Sequence, residues 1–262
     1  MTIDIAVLLS IGRHPSSGRA YRAGGDARAL EMALRLGPAA RIHAIHAGDP
    51  EEPALADYLG MGLESLTVLR QPPGADILAA LMGHLRSLKL GVVLAGSASE
   101  QGESSGMLPY ALARTLGLNL APAIVSIAAT ADGIDALQAL PRGRRRNLFV
   151  PLPSLFTVDR AAPAPRQSAY GRARQGRIIA LDCPDGPLPP VDGREIPARA
   201  KPRRLKIMTG ATAAERLRAA TEMQAGRGKL MVDPPPEAAA RAIYDFLRAE
   251  GIIGPINTAV TD

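Results

Sequence analysis

Tryptophan is absent from this chain, and aromatic residues of all kinds make up only 3% of its 262 positions. A core with so few rings has to be filled by Ala, Leu, Val and Ile. Such side chains fit thin layers of helix on parallel sheet better than an aromatic-rich sandwich. The same scarcity argues against nucleic acid as a ligand. The basic runs at 142–146, 172–177 and 201–206 carry no interleaved stacking residues. A single cysteine, Cys183, excludes an internal disulfide framework and any multi-cysteine metal site. No apolar run approaches the ~20 residues needed to span a bilayer. The opening Met1-Thr2-Ile3-Asp4 enters a strand pattern directly, without the basic and apolar segments of a secretory signal. The expected setting is therefore the cytoplasm.

What is present is enough chain to bury a proper core, as one large domain or as a domain with an appendage. The net charge of +6 comes from 31 basic and 25 acidic residues. Its basic runs lie in the second half, where they can serve as a docking face for an acidic partner or as a solvated surface.

The chain is organised around residues 90–118. Val92, Val93 and Leu94 form a continuous apolar run, the mark of a strand covered on both faces. Gly96 to Gly106 is a loop of small and polar residues. Met107, Leu108, Ala111, Leu112 and Leu116 then recur at helical spacing, and Gly117 stops them. Backbone N–H groups at the positive end of a helix suit a phosphate. The loop nevertheless lacks both the Walker A Lys and the dinucleotide G-x-G-x-x-G. By pattern alone it is either a ligand loop or a tight strand-to-helix turn.

Taken in order, residues 3–9 read as a buried strand and 10–25 as a loop. Asp26 is placed to cap a helix whose inner face is Leu30, Ala33, Leu34 and Leu36. Strands are expected at 41–47, 66–69 and 92–95, with helices at 51–59 and 76–88. This alternation over about 120 residues implies a parallel sheet with crossover helices. Closely spaced strands at 123–129, 134–140, 147–152 and 154–158 then read as an antiparallel extension, with a hairpin turn at Asp132-Gly133. Residues 160–206, rich in Pro, Gly and Arg, read as a long loop or arm. A strand at 229–232 and an amphipathic helix at 237–250 close the chain. The expected organisation is an α/β nucleotide-binding-type domain at 1–159, a recognition loop and linker at 160–206, and an arm at 207–262 whose helix packs on a partner.

These features together resemble the β subunit of electron transfer flavoproteins. That family has a Gly-Lys-Gln-Ala-Ile-Asp loop followed by an Asp-Thr-Gly-Gln-Val-Gly-Pro helix start. The matching residues here are Gly96-Ser97-Ala98-Ser99-Glu100-Gln101 and then Gly102-Glu103-Ser104-Ser105-Gly106-Met107-Leu108-Pro109, without a gap. Residues 26–36, 150–159 and 228–253 resemble the family's first helix, its Leu-Pro-Ala-Val-Val-Thr-Val-Asp strand and its C-terminal strand and helix. The resemblance implies a Rossmann-like fold with helices on both faces. It implies a heterodimer with an α subunit that carries most of the site for a redox-active FAD. Electrons arrive from a dehydrogenase and leave toward the respiratory chain, and the β subunit does no bond chemistry. The family's β subunit holds an AMP in a structural role, or in some members a second FAD. Carried over by position, that site consists of Ala6, Ala23, Gly24, Gly25, Asp26, Ala47 and the loop from Gly96 to Met107. Arg13 falls where many members place a residue near the partner's flavin. A cation there favours anionic reduced flavin, whereas the plain reading is a solvated loop arginine.

Several positions depart from the family pattern. The loop Lys is Ser97, the Asp-Thr-Gly run is Glu103-Ser104-Ser105, and the Asn-Pro-Phe before the first helix is Ala23-Gly24-Gly25. Losing the Lys removes a cation from the phosphate's reach, and Glu100 and Glu103 add repulsion. The expectation is a site that keeps its shape and binds AMP weakly or substoichiometrically. In the family's dehydrogenase-docking loop only Pro165 and Arg166 persist, and Tyr170 stands in place of its anchoring Leu. The loop is read either as fitted to a different partner or as a variable surface. His14, His43, His46 and His84 have no ligand spacing, and Ser104 and Ser105 have no adjacent base. An ATP-using α/β enzyme or a universal-stress-type ATP binder are the alternatives. The first needs Ser-Gly-Gly-x-Asp-Ser after strand one, where this chain has Leu9-Ser10-Ile11-Gly12-Arg13.

Overall fold

The computed structural model describes residues 2–101, 104–184, 187, 212–215, 217 and 230–249. The chain divides into two compact units, Met1–Gly193 and Arg194–Asp262. In the first unit the apolar runs become the inner strands β1 (Ile3–Leu9), β4 (Ala40–Gly48), β5 (Ser65–Arg70) and β6 (Val92–Gly96). Between and after them run the helices α1 (Gly24–Leu34), α2 (Leu55–Leu59), α3 (Leu78–Ser87) and α4 (Met107–Leu116). Alternate residues of a strand face opposite ways, so an all-apolar strand needs cover on both sides. It has that cover here. Ile5, Val7, Val92 and Leu94 pack toward Leu30, Ala33, Leu55 and Tyr58 of α1 and α2. Ala6, Leu8, Val93 and Ala95 pack toward Leu81, Leu85, Leu112 and Ala113 of α3 and α4.

The following strands are β7 (Asn119–Ala129), β8 (Gly133–Ala139), β9 (Arg145–Pro151) and β10 (Ser154–Val158). A short helix α5 (Tyr170–Gln175) and a strand β11 (Arg177–Leu181) come next. The main sheet has nine strands in the order β11-β5-β4-β1-β6-β10-β7-β8-β9. From β11 to β7 every neighbouring pair is parallel, and β8 and β9 add on antiparallel. The fold is thus an α/β Rossmann-like sheet with helices on both faces and an antiparallel extension. Gly117 ends α4 in the left-handed conformation, with φ of 67°.

The first unit departs from the sequence expectations in five places. Residues 154–158 do not join the extension. They insert in parallel between β6 and β7, because Leu155, Phe156 and Val158 are apolar on both faces and find cover only in the sheet's interior. Within the loop at 10–25, Ile11–Arg13 (β2) and Ala20–Arg22 (β3) form a small antiparallel ribbon. The stretch after 160 supplies α5, packed on α2, and β11, which extends the sheet beyond β5. Asp26 does not cap α1. The helix begins at Gly24, so Asp26 lies in its first turn, and Ala23 sits at the cap without a side-chain bond. The helix expected at 51–59 narrows to α2 after turns at 49–55.

In the second unit Pro236–Ala249 forms a 14-residue helix, here α6. Ile243 and Phe246 on it are exposed. Leu230 to Val232 carry no strand, and Lys229 lies outside the described residues.

Candidate functional site

In an open parallel sheet, ligands bind beyond the carboxyl ends of the strands, where connections depart to opposite faces. Here that point lies at β1 and β6: β1 is followed by α1 on one face and β6 by α4 on the other. A cleft of about 780 Å³ opens there. Leu8, Leu9 and Ser10 at the end of β1, Ala47 of β4, and Ala95 and Gly96 of β6 form its floor. Ala98, Ser99, Ser104, Ser105 and Gly106 form one wall, with Leu108 and Pro109 from the start of α4. Residues 74–77 and Pro187 form the other wall.

Asp26 is buried at the base of the cleft. Its carboxylate accepts hydrogen bonds from the Ser10 N–H at 2.7 Å, the Ser10 hydroxyl at 2.5 Å and the Gly96 N–H at 2.8 Å. Burial raises its pKa from 3.8 to about 6, against the opposing pull of those three bonds. A β-carbon on Gly96 would lie 2.5 Å from Asp26 Oδ1, and one on Gly25 would lie 3.4 Å from Gly96 Cα. Gly96 is therefore set by the close approach of α1 to β6, whereas a side chain at Gly25 would make only ordinary contact. Tyr58 reaches the same corner from α2 and donates its hydroxyl to the Ser10 carbonyl at 2.7 Å. Burial pushes that phenol well above its usual pKa.

The loop after β6 is built from local bonds. Ser99 and Ser104 donate to the Gln101 carbonyl at 2.6 and 3.5 Å. Gly106 turns into α4 with φ of 70°, and Ser105 Oγ accepts the Met107 N–H at 3.3 Å. A β-carbon on Gly106 would lie 2.7 Å from the Ser97 carbonyl oxygen. Glu100 leaves the loop altogether: its Oε1 accepts the Gly24 N–H at 2.6 Å, and it bonds the Tyr21 hydroxyl, which raises that phenol's pKa.

The structure therefore brings Asp26, Ala47, Gly96, Ala98, Ser99, Ser104, Ser105 and Gly106 into one cleft. Ala6 is fully buried in β1, within the layer shared with α3 and α4, and is not part of the lining. Ala23, Gly24 and Gly25 form the α1 entry behind Asp26. Ser97 and Met107 are exposed and do not line the cleft, and Gly102 and Glu103 lie outside the described residues. Sequence reasoning missed Ser10 and Tyr58. Both bond through contacts made only on folding, although a serine directly after a buried strand is itself a signal for a switch-point floor. Asp76 accepts the Leu78 N–H at 2.9 Å and so begins α3.

Arg13 is outside this cleft. Its guanidinium pairs with Glu52 at 2.9 Å, so its charge is already partnered. Arg166 is anchored inward: its backbone N–H and Nε donate to the buried Glu31 at 3.1 and 2.7 Å. Burial pushes the Glu31 carboxyl up, but hydrogen bonds from Arg166 and Arg35 outweigh it and hold the pKa below its usual value. Tyr170, by contrast, is 77% exposed at the start of α5, with Arg174 over its ring at 6.0 Å. His43 bonds Asp4, and His46 donates to the Leu9 carbonyl, each at 2.9 Å. Among the described residues there is no group of three or more His, Cys, Asp or Glu placed to hold a metal. Nor, among those described residues, is any helix long and apolar enough to cross a membrane.

No family model matches the chain. It is 43% identical over 259 residues to the electron transfer flavoprotein subunit beta of Chromohalobacter salexigens, with 96% of each chain covered.

Proposed function

The chain belongs to the electron transfer flavoprotein β-subunit family, and on that premise we propose that it is one half of a heterodimeric electron carrier. As a family member it is an electron-transfer protein and not an enzyme, which sets aside the ATP-using reading. Its partner is an α subunit that holds most of the site for FAD, and the flavin supplies the redox chemistry when bound. A dehydrogenase delivers the electrons, which pass on toward the respiratory chain, in the cytoplasm. This chain supplies scaffold and docking surface: residues 1–159 form the nucleotide-type domain, 160–206 the recognition segment, and 207–262 the arm that packs on the partner. Tyr170, exposed beside the inward-anchored Arg166, is the docking anchor for the donor, a role in which tyrosine is common. The exposed Ile243 and Phe246 of α6 belong to the surface that meets the α subunit.

The observation that carries this reading is the cleft. It lies where nucleotides sit in such sheets and is lined by small residues at the strand ends and the loop after β6. The residues present fit an adenosine moiety. They fit a phosphate poorly, because no Lys, Arg or His is among the described lining residues. We therefore assign the cleft a structural AMP, weakly or substoichiometrically bound, rather than a catalytic nucleotide.

Co-expression with the neighbouring α-type subunit should give a yellow heterodimer, whereas this chain alone should be colourless or unstable. A stable monomer that does not associate with that subunit would refute the assignment. Nucleotide released on denaturing the heterodimer should be AMP at less than one equivalent. A second FAD per heterodimer would instead place a flavin in this cleft.

A further inference from the structure

The three basic runs of the sequence meet different fates in the fold. Residues 201–206 lie outside the described residues. At 142–146 three of the arginines turn back onto their own hairpin. Arg144 and Arg145 donate to the carbonyls of Pro141 and Arg144, and Arg146 donates twice to the side-chain oxygen of the buried Gln138, at 3.1 and 2.6 Å. The run at 172–177 is different. Arg172, Arg174 and Arg177 are exposed, and none has an acidic partner among the described residues. Arg174 lies over the Tyr170 ring. Arg172 and Arg177 line an open pocket of about 410 Å³.

That pocket lies between the turn after α2, at Gly62, Leu63 and Glu64, and the end of α5. Backbone bonds hold its two sides together: the Ala169 N–H donates to the Gly60 carbonyl and the Arg177 N–H to the Glu64 carbonyl, each at 3.0 Å. Gly62, with φ of 114°, leaves space for Arg172, because a β-carbon there would lie 3.3 Å from the guanidinium. Gly176 lets the end of α5 close on Leu59, which a β-carbon would meet at 3.0 Å. The two cations are thus presented on a frame that is already ordered, which lowers the entropic cost of binding. Glu64 is the one acid in the lining, and it pairs with neither arginine. A concave site with excess charge of one sign attracts the opposite charge.

We propose that this pocket seats a carboxylate of the docking protein: Arg172 and Arg177 receive an aspartate or glutamate side chain beside the Tyr170 anchor, which fits a donor dehydrogenase whose contact surface is acidic. This inference rests on the reading of Tyr170 as the docking anchor given above. The planar guanidinium matches a carboxylate with two parallel hydrogen bonds, and tyrosine with arginine is the composition of interface hot spots.

The test uses the full-length chain, with its α subunit where the two copurify, and fluorescein-labelled hexaglutamate as the probe, read by fluorescence anisotropy at low salt. The peptide should bind. Arg172→Gln with Arg177→Gln should weaken it about tenfold, the scale of two exposed charge pairs, and the loss should shrink as salt is added. Arg144→Gln with Arg145→Gln removes the same charge from the β8–β9 hairpin and should change the affinity less than about twofold. No binding to the wild type, equal losses in the two double variants, or displacement by inorganic phosphate as readily as by unlabelled peptide would each overturn the proposal. If the first double variant does not fold, Glu64→Gln removes the acid of the pocket instead. It should tighten the peptide about threefold, and an unchanged affinity is equally decisive against the proposal. Indifference of the peptide to Arg172 and Arg177, while Tyr170→Ala still slows flavin reduction, overturns the proposal and leaves the docking reading standing. Arginine-dependent binding with reduction untouched by Tyr170→Ala overturns the docking reading instead.

Discussion

The strongest quantitative prediction concerns Asp26. Its pKa is raised from 3.8 to about 6 by burial, against three hydrogen bonds that favour the charged form. A gap of about two units corresponds to roughly 3 kcal/mol between protonation states. The folded state therefore holds the Asp26 proton more tightly than the unfolded chain does. Its contribution to stability is fullest below about pH 4, falls as the pH rises, and levels off above about pH 6. Asp26→Asn removes that titration. The amide also places an N–H against the Ser10 N–H, a mismatch that costs about 1–3 kcal/mol at every pH. Urea denaturation of both proteins from pH 4 to pH 7 separates the two effects. The stability advantage of the wild type over Asp26→Asn should shrink by up to about 3 kcal/mol across that range. A pH-independent difference would refute the reasoning, as would a carboxyl resonance of Asp26 that titrates at or below 4.

Three further predictions follow from neighbouring contacts. Gly96→Ala forces a β-carbon to within 2.5 Å of Asp26 Oδ1; it should destabilise the fold by about 1–3 kcal/mol, read as a lower denaturation midpoint, and reduce bound nucleotide. Arg166→Ala leaves the buried Glu31 with Arg35 as its remaining ion-pair partner. It should cost about 2 kcal/mol, less than the 3–5 of a fully buried pair, because the Arg166 side chain is 39% exposed; a loss of this size should appear in thermal unfolding at neutral pH and fade in acid as Glu31 protonates. Tyr170→Ala should slow reduction by the true donor while leaving flavin content and melting temperature unchanged, and a parallel fall in flavin content would show that the residue supports the fold instead.

Much of the sheet was legible because residues 5–9 of β1 and the whole of β6 are apolar without interruption. Residues 5–9 and 92–95 call for cover on both faces, and the alternation of strand and helix up to Gly117 gave the parallel order. The cleft loop was legible for a similar local reason, since glycine and serine cluster between a buried strand and a helix start. What escaped depended on contacts distant in sequence. Nothing near residue 154 says that the strand returns across the hairpin to lie beside β6. Nothing near Asp26 says that its carboxylate turns away from its own helix to serve Ser10 and Gly96. Strand β11 reads as loop because all five of its residues are exposed and its pairing with β5 is its only reason to be extended. Glu100 reads as a source of repulsion in a phosphate loop, and only the fold shows its carboxylate accepting the Gly24 N–H at 2.6 Å instead.

The late arrival of β10 has a consequence for synthesis. As the chain leaves the ribosome, β1, β4, β5 and β6 can pair among themselves, but β6 then ends in an open, wholly apolar edge. Strand β7 emerges next and cannot close that edge, because the adjoining place belongs to residues not yet made. Until Val158 is clear of the exit tunnel, β6 and β7 each keep an unpaired edge on the side that β10 will fill, the kind of surface that recruits other chains. A translational pause or premature stop within the β8–β9 hairpin should therefore produce aggregation or chaperone capture. The same interruption after residue 181, once β11 has also covered β5, should leave a soluble body.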